Sequence, residues 1–243
     1  MQSEIKYNRL YQYGVADIFV AGLFRGTKPV SEIKKRGNFG IAAPDLIEGE
    51  LTIHEGNVYH TFVSGETREE DDSYCTPLAF VTYFRADATF SIDRPMNQSE
   101  VLQKTEQYFP NKNGMYAIRI KGEFTYVKTR AFPRIEDGEP FPPLASVLHT
   151  QRFFEYKNLK GTLIGFHLPH YLNGVSVEGY HFHFLSEDGR SGGHVLNFSG
   201  ESLIVEIANL NSIDLEVPQD KAFMEFDRRN INAEDLEKVE RGH

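Results

Sequence analysis

Nine histidines are scattered along the chain, and three of them are spaced for metal chemistry. In GYHFHFLSEDGRSGGHVL, His181 and His183 alternate with Tyr180, Phe182 and Phe184. Residues two apart on a β-strand project from the same face. Both imidazoles therefore point one way while the aromatic rings pack on the other side. The strand ends near Ser186, because Glu187-Asp188-Gly189-Arg190 is a turn sequence. Gly192-Gly193 lets backbone approach closely, and an antiparallel return brings His194 back beside the pair. Three neutral imidazoles leave a divalent ion its full charge and an open fourth position, as in catalytic rather than structural zinc sites. Histidines stacked on aromatic rings or exposed on a hairpin would give the same pattern. So would the HxH-plus-distant-His set of a cupin-like iron site.

Other groups carry weaker signals. Glu50, in IEGELTI, sits on a strand beside a glycine, as a positioned carboxylate or as an exposed strand-edge residue. Arg119 and Arg130 lie in the alternating run YAIRIKGEFTYVKTR. An inward-facing arginine must meet an anion, and alternation alone does not say which of the two faces inward. Cys75 has no adjacent base and reads as a buried bystander. The acidic run GETREEDDS, residues 65–73, reads as a solvated surface loop.

These residues need elements to position them. The first ten residues read as a tail, followed by the apolar stretch DIFVAGLFRG. A short helix is expected through SEIKKRGN, capped by Thr27 or Ser31 and closed by Gly37. GIAAP, GELTIHEG and NVYHTFV alternate as strands, with a hairpin turn at Glu55-Gly56-Asn57. LAFVTYFRADATFSI reads as one or two strands and SEVLQKTEQYF as a helix with a Ser start. GMYAIRIKGEFTYVKTRAF reads as a hairpin turning at Lys121-Gly122. Pro133, Pro140, Pro142 and Pro143 forbid both helix and central strand. That segment reads as a connector dividing an N-terminal unit, 1–143, from a C-terminal unit, 144–243, or as a loop crossing one continuous body. LASVLHTQRFFEYKN is expected to be helical. GTLIGFHLP, GVSVEGYHFHFLS, GGHVLNFSG and ESLIVEIANL then suggest a largely antiparallel sheet, and NAEDLEKVERGH a closing helix with an Asn cap.

Composition sets the bounds. The chain has 243 residues, 40% hydrophobic and 25% charged, enough for one large or two small domains and unlike a disordered chain. No apolar run approaches the roughly 18 residues of a membrane span. The polar start MQSEIKYNRL lacks a signal-peptide pattern. A net charge of −9 repels phosphate backbones, which argues against a nucleic-acid partner. One cysteine cannot form an internal disulfide, which suits a reducing compartment. Neither a GxxxxGK[ST] loop nor a GxGxxG after a strand is present.

Taken together, the segments resemble the α-acetolactate decarboxylases, from about Leu10 to the C-terminus. LYQYGVADIFVAGLFRGT is similar to the family's N-terminal signature, and RGNFGIAAPDLIEGELTIHEGNVYH to the segment bearing its active-site glutamate. TPLAFVTYF follows in family order. YAIRIKGEFTYVKTR ends in the family's V-x-x-R, and GTLIGFHLPHYLNGVSVEGYHFHFLSEDGRSGGHVL is the most specific stretch. The resemblance implies Glu50 and Arg130 as active-site residues and His181, His183 and His194 as ligands of Zn²⁺. It also implies Glu240, in the C-terminal DLEKVE, as a second glutamate reaching the site. The two glutamates are expected to move protons rather than hold zinc. GETREEDDS and IEDGEPFPP depart from the family pattern and touch no implied ligand.

The implied fold is α/β of the α+β type: a mixed N-terminal β-sheet, a second C-terminal sheet bearing the histidines, and few helices. The implied activity is decarboxylation of 2-acetolactate to (R)-acetoin and CO₂ by a homodimer. Its partner is this small-molecule substrate, with neither nucleic acid nor membrane, and the missing leader points to a cytoplasmic enzyme. The competing readings are a non-catalytic zinc- or sugar-binding β-protein and a cupin-like iron oxygenase.

Overall fold

The alternating apolar residues of GIAAP, GELTIHEG and NVYHTFV build the middle of one sheet. Phe39–Ala43, Glu50–His54 and Asn57–Thr61 are antiparallel neighbours in a computed structural model that describes residues 5–227, 231–232 and 234–241. Of the expected N-terminal tail, residues 1–4 lie outside the described residues. Glu55 and Gly56 adopt positive φ at the expected turn, 52° and 85°. The sheet has seven strands, in the order Ile213–Glu216, Leu10–Tyr13, Leu78–Thr82, Phe39–Ala43, Glu50–His54, Asn57–Thr61 and Thr67–Glu69. It is mixed, because Leu10–Tyr13 runs parallel to Ile213–Glu216 while the other neighbours are antiparallel.

The second sheet is built on long strands. Met115–Ala131 lies between Arg152–Leu168 and Gly192–Leu210, and Gly179–Ser186 pairs with both of the latter. Pairing thus runs around a closed circuit of four strands, with Ala88–Ile92 and Met96–Asn97 added along Gly192–Leu210. The expected hairpin at Lys121-Gly122 is absent, and the strand continues to Ala131. Gly122 sits at φ 152°, where a Cβ would lie 2.0 Å from the Ser202 carbonyl oxygen. The glycine permits close approach and a local bulge, and both halves of the strand find partners on each side, so no reversal is needed.

LASVLHTQRFFEYKN also differs from expectation. Only Leu144–Thr150 is helical, as 3₁₀ turns, and a strand begins at Arg152. Pairing of Arg152–Tyr156 with Val127–Ala131 overrides the local helical pattern. Residue 143 lies in the connector between two paired strands of this sheet. The remaining helices are short. Val30–Lys34 starts after Pro29 with no side-chain cap, unlike the expected Thr27 or Ser31 start. Gln98–Glu106 is capped by a reciprocal Asn97–Glu100 box rather than by Ser99. At the closing Asp235–Arg241 helix, the Asn232 side chain accepts from the Glu234 N–H at 3.2 Å.

The sheets face each other across a shared core. Phe39, Ile41 and Phe80 from the first meet Ile164 and Phe166 from the second, and the helices contribute Ala16, Val20, Leu236 and Val239. Each such large side chain contributes about 1.5–3 kcal/mol by leaving water. Among the described residues no helix is long and apolar enough to cross a membrane.

Candidate metal centre

The HxH alternation works as the sequence suggests. Phe182 and Phe184 are buried in the inner core of the second sheet with Tyr180 packed against it, while His181 and His183 project from the opposite face. Gly189 takes φ 68° in the turn, and the next strand returns so that His194 pairs directly with His183. On its other side His194 pairs with Arg130. Gly193, at φ 118°, lies where a Cβ would come 2.9 Å from the Arg130 carbonyl oxygen, so close approach there requires glycine.

The three imidazoles form a tight triangle. Ring centroids are 5.5 Å apart for His181–His183, 4.9 Å for His181–His194 and 5.6 Å for His183–His194. One ligand nitrogen from each lies within 4.8 Å of the others. His183 Nδ1 is 2.8 Å from the Leu51 main-chain oxygen. A carbonyl oxygen only accepts, so Nδ1 carries the hydrogen and the Nε2 lone pair is free for a metal. Burial pushes all three imidazoles toward the neutral form, His181 to about 3 and the other two well below their usual range, with the Arg130 charge acting in the same sense. Neutral, convergent nitrogens, with the tautomer of His183 fixed, fit a divalent transition metal.

Two carboxylates and a guanidinium flank the triangle. Glu50 opens its strand on the first sheet directly after Gly49, whose φ of 87° would put a Cβ 2.0 Å from the Thr61 carbonyl oxygen. Glu50 Oε2 lies 3.4 Å from His183 Nε2, and Oε1 accepts from Arg130 Nη1 at 3.1 Å. Glu240 arrives from the C-terminal helix, its Oε2 3.7 Å from His181 Nδ1 and 3.9 Å from His194 Nε2. Arg130 Nη2 donates to the Val239 main-chain oxygen at 3.2 Å, which ties that helix to the sheet. Burial raises the Glu50 carboxyl to about 8, and its effect outweighs the opposing pull of Arg130, with Glu240 adding to the rise. Burial likewise raises Glu240 to about 7 against Arg130.

The six residues implied by the family resemblance meet in one place: His181, His183, His194, Arg130, Glu50 and Glu240 line a cavity of about 60 Å³. Its apolar wall, including Ile47, Phe80, Phe132, Val177 and Leu236, left no sequence signal, because core residues look alike whether or not they face a site. The carbonyls of Leu51 and Val239 are equally invisible, since every residue has one. Arg119 faces elsewhere and binds Glu206 through two bonds of 2.6 and 2.9 Å. Cys75 is half-buried rather than buried, with Sγ 3.5 Å from the Ser73 oxygen. The acidic run is not wholly solvated: Glu70 contacts the buried His60.

Two facing sheets with a buried three-histidine centre, one arginine and two carboxylates define an α+β protein with a candidate metal centre. Residues 10–229 match the alpha-acetolactate decarboxylase family, and the chain belongs to it. Glu240 lies beyond the matched residues. The chain is 38% identical to the alpha-acetolactate decarboxylase of Methanosarcina mazei over 96% of its own length and 80% of the relative's. It is 32% identical to that of Brevibacillus brevis, over 96% and 81%. Its fold is similar to the crystal structure of alpha-acetolactate decarboxylase from Bacillus subtilis strain 168, with a TM-score of 0.90, 31% identity and coverage of 96% and 98% of the two chains.

Proposed function

We propose that the chain is a zinc-dependent α-acetolactate decarboxylase, converting 2-acetolactate to (R)-acetoin and CO₂. The observation that carries this reading is the convergence of an arginine and two protonatable carboxyls on three neutral histidines inside one small cavity. His181, His183 and His194 would hold the ion. When bound, it supplies a Lewis acid for negative charge developing on the substrate's keto oxygen. Arg130 holds the substrate carboxylate through its planar fork. Loss of CO₂ leaves an electron pair that the neighbouring carbonyl absorbs, and a proton must then reach carbon from one face. Glu50 and Glu240 flank the site, and burial raises both carboxyls above the usual carboxylate range, the direction a general acid requires. Phe80, Phe132 and Leu236 keep water from competing as proton donor.

We further propose a cytoplasmic homodimer with no nucleic-acid or membrane partner. The deciding experiment supplies racemic 2-acetolactate to purified protein without oxygen. It follows CO₂ and the configuration of the acetoin. Release of CO₂ with (R)-acetoin is expected. No release, or release only with oxygen uptake, overturns the assignment. A solution mass of one chain would overturn the dimer.

A further inference from the structure

His60 has no exposed surface, yet it lies outside the cavity and takes no part in the chemistry above. It stands on the Asn57–Thr61 strand, opposite Leu51. Its Nδ1 is 2.7 Å from Glu70 Oε2, and its Nε2 donates to the main-chain oxygen of Glu48. That oxygen can only accept, so Nε2 carries a hydrogen, and Nδ1 is left to the Glu70 carboxyl. Glu70 is itself held in place. Its Oε1 accepts from the Asp71 N–H at 2.9 Å, and its own N–H reaches the Val58 oxygen at 2.8 Å. The Phe62 ring stacks on the imidazole with centroids 3.8 Å apart.

The segment that His60 grips is strained. Leu46 and Ile47 have φ of 52° and 54°, and Gly49 follows at 87°. Positive φ is rare for any residue with a side chain and a real outlier for a β-branched one. Such backbone persists only where its surroundings enforce it, and it gathers at functional sites. Here the Leu46 N–H binds the Phe24 oxygen at 2.9 Å and the Gly49 N–H binds the Phe132 oxygen at 2.8 Å, while the Glu48 oxygen is held by His60. A Cβ on Gly49 would lie 3.2 Å from His60 Nε2, so turn and imidazole are in direct contact. Ile47, within this turn, and Glu50, directly after it, both line the cavity.

We propose that His60, braced by Glu70, is a positioning residue: it holds the strained Leu46–Gly49 turn and thereby sets the Glu50 carboxyl against Arg130 and the histidine triangle. Releasing the Glu48 oxygen frees the turn to relax and carries Glu50 out of register. The three histidines stand on the other sheet, where His183 and His194 pair with each other, and His183 also bonds the Leu51 oxygen beside Glu50, so the metal ligands keep their places through their own sheet while that one bond is loosened. The catalytic part of this inference rests on the decarboxylase reading, whereas the mechanical part does not.

The test compares His60→Leu, Glu70→Ala and Glu70→Gln with the wild type by four measurements: metal content, hydrogen exchange of the Gly49 amide, kcat against KM, and the enantiomeric composition of acetoin. In His60→Leu the Gly49 amide should exchange about tenfold faster while the deep core keeps its protection. A carboxyl displaced by an ångström should lower kcat about 10- to 100-fold and leave KM within about threefold, with metal still bound. Acetoin should lose enantiomeric purity, which a mere loss of folded enzyme would not produce. Glu70→Ala should act in the same direction, and Glu70→Gln, which still hydrogen-bonds Nδ1, should recover most of that loss. Folded His60→Leu and Glu70→Ala proteins with wild-type Gly49 exchange and wild-type product chirality overturn the proposal. Should His60→Leu not fold, Glu70→Ala decides by the same measurements. A wild type that releases no CO₂ would sink the decarboxylase reading, and the exchange experiment would still judge the clamp.

Discussion

Arg130 and Glu50 meet across the two sheets, guanidinium Nη1 to carboxyl Oε1 at 3.1 Å, although they stand 80 positions apart in the chain. Arg130 also binds the Val239 oxygen through Nη2, so one side chain joins the first sheet, the second sheet and the C-terminal helix. Its Nε is buried with no hydrogen-bond partner among the described residues, and under the proposed function that donor is available to the substrate carboxylate.

Arg130→Lys is accordingly expected to cost about 10²-fold or more in kcat/KM, because a point charge cannot serve Glu50, Val239 and a substrate together. Arg119→Ala is the contrast. It breaks a partly exposed pair with Glu206, and should lower stability by about 1 kcal/mol or less while turnover stays near wild type. Steady-state kinetics on both variants check this, and the reverse pattern would exchange the roles of the two arginines.

Removal of the metal should abolish turnover, and Zn²⁺ should restore it. Alanine at His181, His183 or His194 should each lower bound metal below one ion per chain, measured by elemental analysis. Active protein free of any transition metal would contradict the assignment of these histidines.

The carboxyls are separable by product chirality. Glu50→Gln is nearly isosteric but cannot exchange a proton, so a loss of about 10²–10⁴-fold, or scrambled acetoin, is expected. Removing the chain from Asp235 onward takes away Glu240 and the Val239 carbonyl but no histidine ligand. Turnover should collapse with metal retained. A Glu240→Gln enzyme with unchanged rate and chirality would leave Glu50 as the sole proton donor.

The metal-free protein should show opposed pH effects. Glu50 and Glu240 are raised from 4.5 to about 8 and about 7, so between those limits the unfolded chain has lost protons that the fold retains, and stability falls as pH rises. The three histidines are lowered from 6.5, so below that pH the unfolded chain takes up protons that the fold refuses, and stability falls as pH drops. With three groups against two, the maximum should lie near about pH 6.5, with a decline toward pH 8. Denaturant midpoints across that range measure it. A midpoint still rising from pH 6.5 to 8 would show that Glu50 and Glu240 are ionised in the fold.

Much of the centre was legible because its signals are local. Period-two alternation fixes that His181 and His183 share a face, and the turn chemistry of Glu187–Arg190 fixes that the next strand returns. Glu50 and Arg130 gave weak signals alone and became specific through resemblance to a family. The hairpin expected at Lys121-Gly122 and the helix expected through Arg152 failed for one reason. In both places strand pairing with distant segments decided the backbone, and local pattern carries no information about distant partners. Glu70 was concealed in a charge run, where an acid that meets a buried histidine looks like its solvated neighbours.

The sequence by itself determined the spacing of His181, His183 and His194 around a hairpin and the strand-rich character of the chain, because these follow from chain-local geometry, whereas the mixed sheet came from the family resemblance, its parallel pair joining Leu10–Tyr13 to the distant Ile213–Glu216. Only the tertiary structure decided that Glu50, Arg130 and Glu240 share one cavity, that Arg119 does not, and that His60 stands behind the turn bearing Glu50. Those relations depend on how two sheets and a terminal helix pack. Packing brings together residues that no spacing along the chain connects, and by excluding water it pushes buried carboxyls up and buried imidazoles down, both toward their neutral forms.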